Sequence, residues 1–142
     1  MHLDSPKTHA EFKQYFELRW RILRKPWNEP EGSEQDSDED SAYHLMTIEK
    51  GRIMGVARLQ FVENNSAQLR YMAVDKAHQN KGIGRSMIEH METYAKQHAA
   101  NELFMHAREN ALIFYKNLGY EITEKSYLLF DSIQHYKMIK KL

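Results

Sequence analysis

The sequence predicts an α/β fold in which helices flank a mixed, mostly antiparallel central sheet. Apolar residues first recur at helical spacing, then fall into three strand-like runs separated by turn residues, and then alternate between helical and strand patterns. The three consecutive strands indicate an antiparallel meander, and the later alternation supplies helices for its faces. With 142 residues and no linker rich in Gly, Ser or Pro, the chain is expected to form one domain over residues 1–142.

The first predicted element is a helix that begins near Thr8 and ends before Pro26. Thr8 and Glu11 fit a capping box, in which each side chain bonds the backbone amide of the other residue. Because the residue before a proline avoids helical backbone angles, the helix is expected to stop there. Apolar side chains follow the cap at helical spacing, at Phe12, Tyr15, Phe16, Leu18, Ile22 and Leu23.

The segment NEPEGSEQDSDEDSA, over residues 28–42, is polar and acidic. Such a run is typical of a solvated loop or a short helix, and it can also form a lid or a loop that faces a substrate. If the acidic run Glu34–Asp40 faced a substrate, it would favour a cationic acceptor.

Three strands are predicted next. The segment HLMTIEKGRIMGVARLQFV (44–62) holds two apolar runs joined at Lys50-Gly51, which is a hairpin signal. Asn64-Asn65-Ser66 marks a second turn, and QLRYMAV (68–74) forms the third strand.

Helices and strands alternate beyond the third strand. A helix is predicted over residues 83–98, a short strand over ELFMHA (102–107), and a further helix over NALIFYKNLG (110–119), with Gly119 as its C-terminal cap. The tail, 120–141, is expected to supply two strands that are broken near Asp131-Ser132.

The composition excludes several classes of function. The 20 basic and 20 acidic side chains balance, which argues against partners such as nucleic acid or an anionic membrane. The absence of Cys excludes thiolate metal sites and Cys nucleophiles. His90 and His98 do not have the i, i+4 spacing of a zinc helix, so no metal site is expected. No apolar signal core or membrane span is visible, which indicates a cytoplasmic protein.

The segment HQNKGIGRSM (78–87) joins a strand to a helix and carries Gly-x-Gly beside basic residues. Met87 stands where a Rossmann fingerprint needs its third glycine, and no Walker A pattern is present, so a Q-x-x-G-x-G hexapeptide remains. Glycines let a backbone approach a ligand closely, and free amides at a helix start bind phosphate oxygens. Lys81 and Arg85 would add positive charge. The alternative is a connection that merely requires flexible residues.

In this setting the hexapeptide resembles the signature of the GNAT family of acyl-CoA-dependent N-acyltransferases, Q/R-x-x-G-x-G/A after the fourth strand. LRYMAV (69–74) resembles that fourth strand, and ARENALIFYKNLGYE (107–121) resembles the family's second motif, an Asn and a Phe-Tyr pair on a helix that ends at L-G-Y/F. The order of the strands also matches, so the resemblance covers almost the whole chain. It implies the GNAT fold and direct transfer of an acetyl group from acetyl-CoA to a primary amine of a small molecule or a peptide.

A closer resemblance is to the GNAT half of bacterial bifunctional GNAT/hotdog-thioesterase proteins, and to the small ElaA-like GNAT proteins. It rests on LRWRILRKPW…GSE…H (18–44), on RYMAV, and on an I-x-H-x-x-M pattern at Ile133, His135 and Met138. Because the chain ends at Leu142, no thioesterase domain is expected, which weakens any role in acyl-carrier or fatty-acid chemistry.

The resemblance also implies a cofactor site, formed by main-chain groups of the fourth strand and by the glycine segment. Asn110 resembles the residue whose amide contacts pantetheine, and it suits the N-cap of its helix equally well. No metal cofactor is implied. The residues implied to bind acetyl-CoA are Met72, Ala73, Val74, Gln79, Asn80, Lys81, Gly82, Ile83, Gly84, Arg85, Ser86, Asn110 and Tyr115.

Tyr115 is implied to be the general acid, since it occupies the Tyr position of the Phe-Tyr pair. A phenol with a pKa of about 10 suits donation to a departing CoA thiolate. From the residues alone, Tyr115 is better explained as a core aromatic on an apolar helix face with Leu112 and Phe114.

The general base stays open at this point. Gln68 stands where some family members carry a catalytic Glu, and Gln cannot accept a proton. The alternatives are His44, His135, an ordered water chain or, more remotely, Glu34.

Two other functions also stay open. One is a CoA-binding sensor or interaction module without turnover, and the other is an acyltransferase that acts on an acyl-carrier-protein thioester. A homodimer is compatible with this fold class, and no feature of the sequence decides the oligomeric state.

Overall fold

A computed structural model describes residues 1–142 of the chain. Short 3-10 turns lie between the main elements at Lys25–Trp27, Glu39–Ser41, Lys76–His78 and Glu109–Ala111. The helices and strands are β1 (His2–Asp4), α1 (His9–Leu23), β2 (Tyr43–Glu49), β3 (Arg52–Val62), β4 (Ser66–Val74), α2 (Ile83–Gln97), β5 (Glu102–Arg108), α3 (Leu112–Asn117), β6 (Glu121–Leu129) and β7 (Ile133–Lys141).

The seven strands form one sheet in the order β1-β2-β3-β4-β5-β7-β6. Every neighbouring pair is antiparallel except β4 and β5, which run parallel. The mixed, mostly antiparallel sheet predicted from the sequence is therefore confirmed. The predicted hairpin is present as well, because Glu49 pairs with Arg52 across Lys50 and Gly51. None of the helices has the length and the apolar character needed to cross a bilayer.

Strand β1 was not predicted. It is three residues long, too short to show any alternation of apolar side chains, and it adds to the sheet only by pairing with β2. The capping box of α1 is confirmed: the Glu11 amide donates to the Thr8 hydroxyl at 3.1 Å, and the Thr8 amide donates to the Glu11 carboxylate at 3.0 Å.

The core lies on both faces of the sheet. Because side chains of a strand alternate between the two faces, Leu45 of β2 packs with the α2 cluster while its neighbour Met46 packs with the α1 cluster. The α2 cluster also includes Met87 and Tyr115, and the α1 cluster also includes Tyr15. The sheet is thus the middle layer of three, with α1 on one side and α2 with α3 on the other.

Strands β4 and β5 pair only where they begin, over Ser66–Gln68 and Glu102–Phe104. Beyond that point, the register of β4 against β3 shifts by an extra residue, and Tyr71 takes a left-handed backbone conformation with a φ of 54°. A bulge of this kind bends its strand. Since β5 keeps its pairing with β7 as far as Arg108, the two parallel strands separate toward their carboxyl ends.

Two fully buried arginines lie between α1 and the sheet, Arg19 and Arg58. Arg58 contacts Asp36 at 2.7 Å and Glu39 at 2.9 Å, and Arg19 contacts Glu39 at 2.8 Å. Hydrogen bonds from Arg58 hold the pKa of the Asp36 carboxyl far below its ordinary value. The acidic segment 28–42 is therefore packed against the sheet through its carboxylates, and the predicted short helix is the 3-10 turn Glu39–Ser41.

The buried pairs yield a stability prediction. Replacing Arg58 with Met leaves Asp36 without its strongest partner and forces a carboxylate to remain buried, so we expect a loss of about 3 kcal/mol in the free energy of unfolding. Urea denaturation measures the loss. The exposed Arg52 on the same strand provides a matched control, and Arg52→Met should change the free energy by less than about 0.5 kcal/mol. Equal stability of the two variants would contradict the anchoring role of Arg58.

Candidate active site

A cleft of about 750 Å³ occupies the gap between β4 and β5. One wall is β4 with the glycine loop (Gln79–Gly84), and the other is β5 with α3. The end of α1 and the β6–β7 hairpin border the cleft as well. The residues predicted from the sequence that line the cleft are Met72, Ala73, Val74, Gln79, Asn80, Gly82, Ile83, Gly84, Arg85, Asn110, Tyr115 and His135.

The glycine loop delivers free backbone amides to the cleft. Helix α2 begins directly after Gly82, and its first internal hydrogen bond runs from the Ser86 amide to the Gly82 carbonyl at 3.0 Å. The amides of Ile83, Gly84 and Arg85 therefore have no acceptor within the helix. Together with the positive end of the helix dipole, they form an arrangement suited to phosphate oxygens.

The two glycines of the loop serve different needs. Gly82 has a φ of 81°, a left-handed conformation that glycine adopts without strain, and a Cβ there would have no atom within 4 Å. A Cβ on Gly84 would lie 3.1 Å from the Phe114 ring and 3.4 Å from the Met72 methyl. Gly82 thus permits the turn, while Gly84 permits the close approach of α2 to α3 and β4.

Two of the predicted cofactor residues lie outside the cleft, and a third does not cap its helix. Lys81 and Ser86 are exposed and do not line the cleft, and the Ser86 amide is already used inside α2. Asn110 lines the cleft but does not cap α3: it lies inside the 3-10 turn Glu109–Ala111, and α3 has Ala111 at its N-cap with no side-chain bond. The sequence could not distinguish the 3-10 turn from the first turn of the helix.

Tyr115 faces the cleft from α3 and is 6% exposed. Its ring packs edge-on against Phe114 and Tyr120, so it is also part of the core, as the alternative interpretation required. Burial raises the pKa of the Tyr115 hydroxyl above its ordinary value. The group therefore stays protonated at neutral pH and can act as a proton donor, but not as a phenolate base.

His44 lies outside the cleft, so its prediction as a general base is not supported. It is buried beneath α1, where Nε2 lies 2.7 Å from the Glu39 carbonyl oxygen and Nδ1 lies 2.8 Å from the Tyr15 hydroxyl. Both ring nitrogens are occupied, and the position of His44 on β2 directs it toward α1. Glu34 is also committed elsewhere, since its carboxylate accepts from the Gly32 amide and from the Gln35 side chain.

His135 lines the cleft and is held in one orientation. Its Nδ1 lies 3.0 Å from the Ile133 carbonyl oxygen, so Nδ1 carries the hydrogen and Nε2 keeps a free lone pair. The Tyr127 ring stacks on it at 4.3 Å. Burial, assisted by the nearby cationic Arg108, lowers the pKa of His135 below its ordinary value. His135 is therefore a neutral, oriented imidazole at the edge of the cleft.

No Asp or Glu lines the cleft. Gln68 lies on the β4 wall, where a carboxylate base would stand in the resembling family, and its only side-chain partner is Gln60 at 3.5 Å. The charged residues of the lining are all basic: Arg24, Arg70, Lys76, Arg85 and Arg108. The cleft is thus suited to anionic ligands. The acidic run Glu34–Asp40 does not line it, so the condition under which that run would favour a cationic acceptor is not met.

Sequence reasoning missed Arg24 and Arg108, which are half-buried in the cleft. Arg108 lies in the segment ARENALIFYKNLGYE (107–121), between a strand and a helix. Nothing in the neighbouring sequence indicates that its side chain lines the cleft. Trp27, which follows α1, also lines the cleft. No three His, Cys, Asp or Glu side chains are grouped so that they could hold a metal ion.

Comparison with known proteins identifies the family to which this sequence is similar. A sequence model of the Acetyltransferase (GNAT) family matches residues 12–120. The uncharacterized N-acetyltransferase YjcF of Bacillus subtilis (strain 168) is 25% identical over 134 residues, which cover 94% of this chain and 95% of YjcF.

Two solved structures illustrate the likeness. An aminoglycoside 6'-N-acetyltransferase complexed with coenzyme A aligns with a TM-score of 0.83 and 12% identity, over 99% of this chain and 97% of that one. ElaA of Escherichia coli aligns with a TM-score of 0.81 and 15% identity, over 98% of each chain. The GNAT fold that the sequence predicted is confirmed by these alignments.

The geometry of His135 yields a spectroscopic prediction. Nitrogen-detected NMR titration of the imidazole should give a pKa below its ordinary value of about 6.5, with Nδ1 protonated in the neutral form. The spectrum of a His135→Gln variant identifies the signal. A pKa above that value, or a neutral form protonated at Nε2, would contradict the proposed orientation.

Proposed function

Because the chain belongs to the Acetyltransferase (GNAT) family, we propose that it transfers an acetyl group from acetyl-CoA directly to a primary amine of a small molecule or a peptide. The observation that carries the proposal is the glycine loop, whose free amides at the start of α2 open onto a cleft between two separated strands. The aminoglycoside acetyltransferase of similar fold was crystallised with coenzyme A, which supports a CoA-type co-substrate for this cleft.

The cofactor would bind along β4. The pyrophosphate would accept hydrogen bonds from the amides of Ile83, Gly84 and Arg85, with Lys76 and Arg85 as nearby cations. The pantetheine arm would pair with the main chain of Met72–Val74, because β5 has separated from β4 along that stretch and leaves its backbone groups open on that side. Side-chain identity on β4 would then matter little.

The reaction would proceed by direct attack. The amine nitrogen forms a bond with the thioester carbonyl carbon, the carbon–sulfur bond breaks, and the electron pair leaves with the CoA sulfur. The amine loses one proton and the thiolate gains one. No Cys is present to form an acyl-enzyme, which favours a ternary complex over a covalent intermediate.

Tyr115 would supply the proton to the departing thiolate. Its hydroxyl has a raised pKa and stays protonated, and no other hydrogen bond holds that proton in the free protein. His135 would accept the proton from the amine, since its Nε2 is unprotonated at neutral pH and free of partners. His135 replaces the carboxylate that Gln68 lacks.

A second candidate function is a CoA-binding sensor that does not turn over. The observation that favours it is the lack of any carboxylate among the residues that line the cleft. The resemblance to the two-domain GNAT/thioesterase proteins favours a third, transfer from an acyl-carrier-protein thioester. Competition between free CoA and an acyl-carrier protein for the cleft separates that function from the first.

Calorimetric titration with acetyl-CoA tests the cofactor site. We expect saturable binding to the wild-type protein, and a loss of at least about tenfold in affinity for Gly82→Glu, because the added carboxylate strains the left-handed turn and repels phosphate. Gly51 provides a matched control, since it is also left-handed, with a φ of 75°, and a Cβ there would likewise have no atom within 4 Å. Gly51→Glu should bind normally. Absence of wild-type binding would overturn the proposal.

Replacement of Tyr115 with Phe separates an enzyme from a sensor. The variant should keep its affinity for CoA and lose kcat by about a hundredfold, since only proton donation to the thiolate is removed. Release of the CoA thiol in the presence of a panel of primary amines measures the rate. Tyr94→Phe, on α2 outside the cleft, is the matched control and should keep full activity. Unchanged kcat in Tyr115→Phe would remove Tyr115 from the mechanism.

A further inference from the structure

Two arginines in the cleft have no carboxylate partner. Arg24, just beyond α1, and Arg108, at the end of β5, each lack any Asp or Glu oxygen within 4.0 Å, although ten Lys–carboxylate or Arg–carboxylate contacts exist in the protein. The buried Arg19 and Arg58, by contrast, are both paired with carboxylates. A half-buried guanidinium without a counter-ion is costly to maintain, so a pair of them calls for an explanation.

The two guanidinium groups donate hydrogen bonds to the same oxygen atom. A terminal nitrogen of Arg24 and one of Arg108 each donate to the Leu23 carbonyl oxygen at 3.0 Å. Two like charges are thus held within about 6 Å of each other, a distance at which they repel. Burial, together with the charge of Arg24, lowers the pKa of Arg108 to about 10, so the group remains charged at neutral pH.

Aromatic rings pack against both guanidinium groups, and some N–H donors of these groups remain without an acceptor. The guanidinium of Arg108 lies 4.7 Å from the Trp27 ring, and that of Arg24 lies 5.5 Å from Phe130 and 5.7 Å from Tyr71. Arg108 uses one nitrogen for its bond to Leu23, out of the five N–H donors that a guanidinium carries. The remaining donors form a rigid fork of the kind that binds carboxylate or phosphate oxygens.

The arginine pair lies beside the proposed base. Arg24, Arg108 and Met72 all line the cleft between β4 and β5. Arg108 is also the direct cross-strand partner of His135 in the antiparallel pairing of β5 with β7. An anion held by the two arginines would therefore lie beside the proposed base, in the cleft that the thioester would enter.

We propose that Arg24 and Arg108 bind an oxyanion, a carboxylate or a phosphate, that the amine acceptor carries a few bonds from its nitrogen. This inference rests on the proposed function and names the class of its acceptor. The cofactor phosphates have their own binding groups at the glycine loop on the β4 wall, where Lys76 and Arg85 lie. The arginine pair belongs instead to the side of the cleft bordered by α1 and β7.

The first experiment titrates the CoA-saturated protein with inorganic phosphate and, separately, with acetate, at constant ionic strength held with sodium chloride. Trp27 fluorescence reports on the site, because its ring packs on Arg108. We expect a saturable change whose half-saturation concentration rises by about tenfold or more in Arg108→Met and in Arg24→Met. Arg21→Met, on the same helix as Leu23 but outside the cleft, should behave as wild type. The tighter of the two anions identifies the group.

Several results would overturn the inference. One is the absence of a saturable change in the wild-type protein, and another is a titration that is unchanged in both arginine variants. A third is an Arg108→Met variant that differs only by a lower melting temperature, which would mean that Arg108 merely caps the end of α1. Weaker binding of CoA itself by Arg108→Met would assign the arginines to the cofactor. Each of these leaves the proposed acetyl transfer standing, whereas failure of acetyl-CoA to bind the wild-type protein removes the proposed function itself.

A second experiment compares acceptors that differ only in the anion: glycine with glycinamide, and phosphoethanolamine with ethanolamine. In the wild-type protein, the anionic member of at least one pair should have a KM lower by about tenfold, and Arg108→Met should abolish that preference, so that the two members of the pair have similar KM values. Equal KM values within both pairs, with acetylation proceeding, would contradict the inference and leave the proposed function intact.

Discussion

The separation of β4 from β5 is the constraint on which the rest of the structure depends. Both strands belong to one continuous sheet, and their pairing ends after three residues because the bulge at Tyr71 turns β4 away while β7 holds β5. A sheet that stayed paired would have no cleft. The same separation leaves backbone groups of Met72–Val74 without partners on the side that faces β5, and it directs α2 and α3 to opposite walls.

The distribution of charge follows from what lies on each side of α1. The acidic segment 28–42 could have supplied carboxylates to the cleft, but Arg19 and Arg58 draw Asp36 and Glu39 beneath the helix. Those carboxylates stabilise the fold and do not line the cleft. The cleft is left with cations and neutral polar groups, although the chain as a whole carries no net charge. The net charge of the chain therefore says little about which ligands the cleft can bind. The charges of the side chains that line the cleft say more.

The sequence predicted those parts of the protein whose structure is decided within a few residues. The capping box at Thr8, the hairpin at Lys50-Gly51 and the glycine loop each depend on local backbone chemistry, and each is present. The pairing of Arg19 and Arg58 with the acidic segment joins residues 15 to 22 positions apart, and no local pattern announces it. The choice between His44 and His135 depended on which face of a strand meets the cleft, which only the assembled sheet decides. The two lone arginines were missed for the same reason.

The pairing of β5 with β7 places Arg108 opposite His135, and this placement gives the imidazole two properties at once. The nearby cation disfavours protonation, which keeps His135 neutral and able to accept a proton, but it also makes His135 a weaker base. An acceptor whose anion neutralises Arg108 would remove part of that penalty just as its amine arrives. Under the proposed function, the same group that positions the acceptor would thus strengthen the base that deprotonates it. A neutral acceptor would obtain neither effect, which gives the cleft a physical means of discriminating between amines that does not depend on shape.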